Sequence, residues 1–314
     1  FGLLVKGADF LVEGSSSIAK KYKLSDLVIG LTIVSLGTSL PELLVNLNAS
    51  LSGSAELAIG NVFGSNIANI LLILGISSMI QPLPITRSIY YTEIPFSLIA
   101  TLLVGFLANA TLFSDSEILM LSRIDGGILL FFFLLFLGYI YVVATQRRDD
   151  NNHNQAFEEN IQILPMGKSI LYVIGGCVGL YFGGEWVVDG AIEIAKKFGL
   201  SESLIGLTVI AIGTSLPELV TSAVAAFRKK ADIAVGNVVG SNIFNLLWIL
   251  GISSIIKPLP FDVINNSDIL MIIAASTLLI FSVVVGPKTR IDRWEGVMFT
   301  LVYFSYVVYL VIRG

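Results

Sequence analysis

Long runs of apolar residues, separated by short polar turns, extend along nearly the whole chain. They fall at about 1–19, 26–50, 57–80, 89–110, 124–145, 169–195, 203–227, 232–256, 267–286 and 294–312. About 20 apolar residues are needed to span a bilayer as a helix. The pattern therefore predicts an all-α polytopic membrane protein with ten transmembrane helices.

One longer polar stretch divides the chain into two similar halves. Residues Gln146 to Gln162 are rich in Arg, Asp, Asn and Glu, a composition typical of flexible linkers. At a constant offset of 176 residues, Gly60–Pro84 matches Gly236–Pro260 at 19 of 25 positions. The predicted organisation is a first five-helix repeat (1–145), a polar cytoplasmic linker (146–168) and a second five-helix repeat (169–314).

Because five is an odd number, the second repeat must enter the membrane from the side opposite to the first. Inverted repeats are typical of secondary transporters, whose substrate site lies near the midplane between the repeats. With the N-terminus outside, thirteen Lys and Arg residues fall inside and five outside, as the positive-inside rule requires. The repeat alignment places Phe1 opposite Cys177, so about eight residues at the start of helix six have no counterpart in helix one; either helix one is short or the native chain begins earlier.

Composition narrows the class of protein further. The chain is 55% hydrophobic and 13% charged, whereas soluble domains carry about 25% charged residues. A net charge of −4 argues against nucleic acid as a partner. One Cys and one His cannot build the usual zinc sites, which argues against an intramembrane metalloprotease. The sequence predicts a protein of the lipid bilayer that is no enzyme, with no cofactor and no obligatory protein partner.

One six-residue stretch occurs twice inside apolar runs. Gly-Thr-Ser-Leu-Pro-Glu occupies Gly37–Glu42 and again Gly213–Glu218. A charge at the centre of a bilayer costs about 2.5–3.5 kcal/mol on insertion scales, and proline breaks a helix. Broken backbone is tolerated at membrane depth where it is buried in protein or lines a cavity. A single copy would also fit a kinked core helix, but two copies in inverted context favour a functional cluster of oxygens.

A second repeated motif supplies more oxygen ligands. Gly-Asn-Val-x-Gly-Ser-Asn-Ile-x-Asn begins at Gly60 and again at Gly236. Its Ser and its last Asn are four residues apart and therefore share a helix face. These residues are Ser65 with Asn69, and Ser241 with Asn245. A set of oxygens without thiolate or imidazole suits Ca²⁺, which takes 6–8 oxygen ligands, and also Na⁺.

Together the two motifs resemble the alpha-repeats of the calcium/cation antiporter superfamily, most of all its prokaryotic sodium/calcium exchangers. The resemblance covers all ten predicted helices and is strongest over 26–84 and 202–260. It implies a core of helices two, three, seven and eight around the cation sites, and exchange of three Na⁺ for one Ca²⁺. It also implies a location in a prokaryotic plasma (inner) membrane.

The resemblance further implies roles for single residues. Glu42 and Glu218 resemble the paired carboxylates that bind Ca²⁺, and Thr38 and Thr214 resemble ligands through backbone carbonyl and side chain. The family's Na⁺ ligands are matched by the hydroxyls of Ser39, Ser65, Ser215 and Ser241 and by the backbone carbonyls of Ser35 and Ala211.

One departure from the family pattern bears on the coupling ion. Some members carry Asp where this chain has Asn69 or Asn245; because both are Asn here, the predicted core has a formal charge of −2 and K⁺ co-transport is not expected. The predicted function is Ca²⁺ export in exchange for Na⁺ by alternating access. The residues alone leave two alternatives open: an H⁺/Ca²⁺ antiporter, since buried carboxylates can take up protons, and a cation channel.

Overall fold

Helices make up nearly all of the residues that the computed structural model describes, which are 1–110, 118–150, 163–197, 211–285 and 289–313. The first half contains α1 (Gly2–Tyr22), α2 (Asp26–Ile29), α3 (Ser35–Thr38), α4 (Leu40–Ser52), α5 (Ala55–Ala68), α6 (Leu74–Ile80), α7 (Ile94–Asn109) and α8 (Arg123–Asp150). The second half contains α9 (Met166–Lys197), α10 (Ala211–Thr214), α11 (Leu216–Phe227), α12 (Ala231–Ile243), α13 (Leu250–Ile256), α14 (Asn266–Val285) and α15 (Arg293–Arg313). The predicted all-α membrane class is confirmed.

Seven described helical segments are long and apolar enough to cross a membrane, and an eighth is added if the bent pair Asp26–Thr38 and Leu40–Ser52 is one span. The seven are Ala55–Ile80, Ile89–Asn109, Arg123–Thr145, Met166–Ile194, Ala231–Ile256, Val263–Val284 and Arg293–Arg313. Two of the ten predicted spans, the first and the seventh, are not among these eight. The first corresponds to α1, which contains more polar residues than the seven spans. The seventh is described only from Ala211, and 203–210 lie outside the described residues. The count of ten stays a prediction.

The helices beside the predicted linker extend into it from both ends. α8 continues beyond the predicted boundary at 145 to Asp150, and α9 begins at Met166, before the predicted 169. A polar sequence can continue a helix in this way because Gln and Arg have good helix propensities. Residues 151–162 of the predicted linker lie outside the described residues.

Two short antiparallel strand pairs connect the halves. β1 (Leu83–Pro84) pairs with β4 (Arg290–Ile291), and β2 (Met120–Leu121) pairs with β3 (Leu259–Pro260). β1 and β3 are the same Leu-Pro dipeptide in the two repeats, so exchanging the halves converts one strand pair into the other. The halves therefore meet through equivalent contacts.

The centre of the molecule is formed by the spans that carry the second motif. In Ala55–Ile80 and Ala231–Ile256, 78% of the most apolar stretch is buried, against 22–44% in the other five spans. A Cβ added to Gly30 would lie 3.0 Å from the carbonyl oxygen of Ile233 and 3.1 Å from the Cα of Gly236. Small residues at this crossing let the first motif's helix approach the second motif's helix of the other half.

Helices α1 and α9 form a closely packed pair beside this centre. A Cβ added to Gly176 would lie 2.7 Å from the backbone nitrogen of Leu11, and one added to Gly7 would lie 2.9 Å from that of Leu180. Such contacts exclude a larger side chain, so glycine is required for the crossing.

Candidate cation site

Both copies of the six-residue motif are breaks between two helices. The first bends by 47° between Asp26–Thr38 and Leu40–Ser52. At the break Ser39 has φ −85° and ψ 7°, and at the second break Ser215 has φ −87° and ψ 6°. Pro41 falls in the first turn of α4, where a missing N–H removes no intrahelical hydrogen bond. The nearly equal dihedral angles indicate that the two copies fold in the same way.

Each buried carboxylate is bound by the serine of the other copy. Ser39 Oγ donates to Glu218 Oε1 at 3.0 Å, and Ser215 Oγ donates to Glu42 Oε1 at 3.5 Å. All four residues are buried. These hydrogen bonds therefore run between the motifs of the two halves rather than within one motif.

The serines of the second motif complete these contacts. Ser39 Oγ lies 3.0 Å from Ser241 Oγ, and Ser215 Oγ lies 3.1 Å from Ser65 Oγ. The structure thus brings six of the predicted site residues into two equivalent clusters. The clusters are Glu42 with Ser215 and Ser65, and Glu218 with Ser39 and Ser241.

The two predicted asparagines are held by a second pair of asparagines. Asn69 Nδ2 donates to Asn242 Oδ1 at 2.9 Å, and Asn245 Nδ2 donates to Asn66 Oδ1 at 3.3 Å. Sequence reasoning assigned no role to Asn66 and Asn242. Their place in the repeated motif was a signal, but motif spacing does not reveal a contact between the halves.

At the two predicted asparagines, Asn69 and Asn245, the helix widens into a π-helical turn in both halves. The turns are Asn69–Ile73 and Phe244–Ile249. Such turns interrupt the usual i to i−4 bonding and are often found at functional sites. The repeat therefore extends to an irregular backbone feature that the sequence pattern does not predict.

Two equivalent pairs of side-chain oxygens, one from the two glutamates and one from the two predicted asparagines, accept no hydrogen bond from the described residues. They are Glu42 Oε2, Glu218 Oε2, Asn69 Oδ1 and Asn245 Oδ1, and all four are buried. Buried polar atoms nearly always have a hydrogen-bond partner. Carboxylate and amide oxygens are ligands for hard cations, so a bound cation would satisfy these atoms.

The two predicted threonines lie beside the helix breaks. Thr38 is buried, and its Oγ1 donates to Asn237 Oδ1 at 3.0 Å. Thr214 is half-buried, and its Oγ1 donates to Asn61 Oδ1 at 3.3 Å. Asn61 and Asn237 are further residues of the second motif to which sequence reasoning assigned no role.

The two residues predicted to contribute backbone carbonyls precede the breaks. The Ser35 carbonyl accepts a hydrogen bond from the Ser39 N–H at 3.0 Å and lies 3.4 Å from Thr38 Oγ1. A carbonyl oxygen has two lone pairs, so these contacts already occupy part of its capacity. Ala211 begins α10.

The charge of this site comes from its two glutamates. Within the described ranges, no three His, Cys, Asp or Glu side chains form a possible metal cluster. Hydroxyl, amide and carbonyl oxygens therefore supply the neutral remainder of the candidate ligands.

A pocket of ≈ 230 Å³ lies between α4 and α9 and reaches the helix breaks. Its lining includes Pro41 and Asn48 of α4, Glu185 and Asp189 of α9, and Thr214. The half-buried state of Thr214, in contrast to the buried Thr38, follows from this pocket.

Comparison with known proteins agrees with this geometry. The family described as "Sodium/calcium exchanger protein" matches residues 1–142 and 168–312. CaxA of Alkalimonas amylolytica is 37% identical over 97% of this chain and 94% of its own length. The sodium/calcium exchanger MaX1 of Methanosarcina acetivorans is 31% identical over 98% of this chain and 95% of its own length.

A solved structure supports the same relationship at the level of the fold. The sodium-calcium exchanger NCX_Mj, soaked with 10 mM Na⁺ and zero Ca²⁺, is 33% identical and has a TM-score of 0.79. The match covers 98% of this chain and 94% of that chain. With paired buried glutamates at two equivalent helix breaks and a family match over both halves, the chain belongs to the sodium/calcium exchanger family.

Proposed function

We propose that this protein is a secondary transporter that exports Ca²⁺ in exchange for Na⁺ by alternating access. The observation that carries the proposal is the set of four buried oxygens that accept no hydrogen bond from the described part of the chain, two from carboxylates and two from amides. The names of MaX1 and NCX_Mj support the choice of ions. Two carboxylates and shared neutral oxygens cannot hold full loads of both ions, so Na⁺ and Ca²⁺ compete for them.

In this proposal the two clusters form one set of cation sites. Glu42 and Glu218 bind Ca²⁺, because a divalent ion gains most from two carboxylates. The neutral oxygens contribute to both ions, and the smaller charge of Na⁺ makes it less dependent on the carboxylates. The remaining proposed ligands are Ser35, Thr38, Ser39, Ser65, Asn69, Ala211, Thr214, Ser215, Ser241 and Asn245.

The proposed architecture is ten membrane helices in two inverted repeats, 1–145 and 169–314, joined by the cytoplasmic linker 146–168. It is supported by the two equivalent strand pairs that join the halves, β1 with β4 and β2 with β3, and by the positive-inside charge distribution. With the N-terminus outside, the pocket beside Thr214 faces the exterior. The protein would then lie in a prokaryotic plasma (inner) membrane.

Alternating access requires that the pocket can close while the opposite end of the core opens. The glycine-lined contact between α1 and α9 suits a pair that moves as one unit across the core. Exchange of three Na⁺ for one Ca²⁺, the ratio implied by the family resemblance, moves one net charge per cycle. That charge is worth about 2.3 kcal/mol per 100 mV, which favours Ca²⁺ export from a negative interior.

Flux from reconstituted vesicles tests this function directly. Purified protein in proteoliposomes is given an outward Na⁺ gradient, a pH gradient without Na⁺, or no gradient, and Ca²⁺ uptake is measured with the membrane potential clamped. We expect uptake only with the Na⁺ gradient. Uptake driven equally by the pH gradient would replace Na⁺ by H⁺ as the coupling ion, and Ca²⁺ entry without any counter-ion gradient would indicate a channel.

Thiol labelling tests the inverted arrangement separately. Ser52 ends α4, and Lys229 lies two residues after the end of the equivalent helix α11; both are exposed, and in the proposed topology they lie on opposite sides of the membrane. In a Cys177→Ala background, an impermeant thiol reagent added outside intact cells should label Ser52→Cys and leave Lys229→Cys unlabelled. Labelling of both from outside would contradict the inversion.

A further inference from the structure

Each threonine beside a helix break is the start of a hydrogen-bond chain. Thr38 Oγ1 donates to Asn237 Oδ1 at 3.0 Å. Asn237 Nδ2 then donates to Ser222 Oγ at 3.0 Å, and Ser222 Oγ lies 3.4 Å from the carbonyl oxygen of Ala234. Because Ser222 donates its own proton to Ala234, it accepts from the Asn237 nitrogen, and the amide oxygen of Asn237 is the atom next to Thr38.

An equivalent hydrogen-bond chain begins at Thr214, and one of its residues differs from the first chain. Thr214 Oγ1 donates to Asn61 Oδ1 at 3.3 Å, Asn61 Nδ2 donates to Asn46 Oδ1 at 2.6 Å, and Asn46 Nδ2 donates to the carbonyl oxygen of Ala58 at 3.0 Å. Asn46 stands where the first chain has a serine. In both chains, the threonine and the asparagine it contacts belong to different halves.

A hydroxyl group has one proton and two lone pairs. To bind a cation it must turn a lone pair to the ion, so its proton has to be donated elsewhere. Thr38 Oγ1 makes two hydrogen bonds, to Asn237 Oδ1 at 3.0 Å and to the Ser35 carbonyl at 3.4 Å, and the carboxylate of Glu218 also lies near this hydroxyl. Since O–H···O bonds normally span about 2.5–3.0 Å, Asn237 is the better acceptor.

We propose that Asn237 and Asn61 are positioning residues, each of which draws the hydroxyl proton of a threonine in the opposite half away from the bound cation. This inference rests on the proposed function, because it concerns ligands of the same ions. It adds that each half orients a ligand that belongs to the other half. Neither asparagine contacts the ion itself; Ser222 and Asn46 hold them in orientation.

The contact lengths set the order of the expected effects. Thr38–Asn237 is shorter and buried, whereas Thr214–Asn61 is longer and beside the pocket. A hydrogen bond of this kind changes affinity by about 3- to 10-fold. Asn237→Leu, which keeps the shape of the side chain but removes the acceptor, should therefore raise the apparent KM for Ca²⁺ by about this factor, and Asn61→Leu by less. The maximal rate should change less than about twofold.

Double-mutant cycles separate positioning from a general effect on folding. Asn237→Leu is combined with Thr38→Val, which removes the hydroxyl that Asn237 contacts, and with the matched control Thr214→Val. If Asn237 acts through Thr38, Asn237→Leu should add little in the Thr38→Val background and have its full effect in the Thr214→Val background. Equal effects in both backgrounds would overturn the proposal. If Asn237→Leu does not fold, Asn237→Ala removes the same acceptor without adding bulk.

A second readout keeps this test distinct from that of the transport function. Thermal stabilisation of purified protein by Ca²⁺ reports binding without flux, and the same cycles are measured with it. Wild-type protein that is stabilised by Ca²⁺ but shows no Na⁺-driven uptake would overturn the exchange function, while the cycles would still decide the role of Asn237. Wild-type protein that no cation stabilises would overturn both.

Discussion

Two acidic pairs at equivalent positions of the repeats meet different surroundings. Asp9 and Glu13 lie on α1, and 176 positions later Glu185 and Asp189 lie on α9. Asp9 Oδ1 is 2.7 Å from Nη2 of Arg228, and Glu13 Oε2 is 3.9 Å from Nη1 of the same arginine. Glu185 and Asp189 instead line the pocket beside Thr214. One end of the core therefore carries ion pairs between α1 and Arg228, and the other end holds a pocket.

The residue that makes the difference is visible once the repeats are aligned. Arg228 follows the end of α11, and its counterpart at the end of α4 is Ser52. Serine offers no charge to the acids of α9. At the centre, by contrast, the contacts of Glu42 and Glu218 are equivalent. A transporter needs this combination, because both access states use the same ion ligands while only one end is open at a time.

The largest expected effect tests the equivalence at the centre. Glu42→Gln and Glu218→Gln should each reduce Na⁺-driven Ca²⁺ uptake to background, because either change leaves a divalent ion with one carboxylate. Uptake rates are compared at matched reconstituted amounts. Glu56→Gln, which neutralises an exposed carboxylate at the start of α5, is the control and should keep wild-type rates. Near-normal transport by either core variant would contradict the equivalence of the two halves.

A second, smaller effect concerns the neutral amides of the core. Asn245→Asp adds a group that carries a negative charge at high pH and is neutral when protonated. Its apparent Na⁺ affinity should therefore match wild type at low pH and depart from it as pH rises, by about tenfold. Asn69→Asp should behave in the same way. The measurement is Na⁺-dependent Ca²⁺ uptake from pH 5 to 9.

The outcome for the amides also tests the site assignment. Asn66 Nδ2 is buried and has no hydrogen-bond partner among the residues that the structure describes, so it can turn to the new carboxylate at position 245 without disturbing the packing. If neither variant alters the pH profile or the apparent Na⁺ affinity, Asn69 and Asn245 are not near the ions.

The third effect tests the difference between the ends. Exposed ion pairs contribute about 0.2–1 kcal/mol, so Arg228→Gln should shift the balance of access states by about 1.5- to 5-fold. The apparent KM for Ca²⁺ should fall when measured from the Arg228 side and rise from the pocket side. Lys229→Gln removes a charge from the neighbouring position and is the control. Equal changes from both sides would mean that Arg228 affects binding rather than access.

The smallest effect is expected from copying the arginine to the other end. Ser52→Arg gives the acids of α9 a cation on the equivalent helix, which favours closing the pocket end. The apparent KM should shift in the same direction as in Arg228→Gln, by about twofold or less. A shift in the opposite direction would show that the ends are not related by the repeat.

The sequence predicts local features of the fold, such as the helix breaks, but it does not predict which helices and strands pack together. The breaks at Ser39 and Ser215 follow from proline chemistry, which acts within one turn of the helix. The strand pairs β1–β4 and β2–β3 join positions far apart in the chain, which no local pattern reports. Hydrophobic periodicity reports which segments are helical, but not which of them touch.

By itself, the sequence determined the chemistry of this protein: two equal sets of carboxylate, hydroxyl and amide oxygens inside apolar helices, in a pattern that resembles one transporter family. Only the tertiary structure decided that Ser39 binds Glu218 rather than Glu42 three residues ahead of it. It also decided that Asn61 and Asn237 contact threonines of the opposite half, and that Arg228 pairs with the acids of α1 at one end. The physical reason is that spacing governs neighbours on one helix, whereas contacts between the halves depend on how all the helices pack. Two identical motifs have the same local energy, so a difference between the ends has to come from a distant contact.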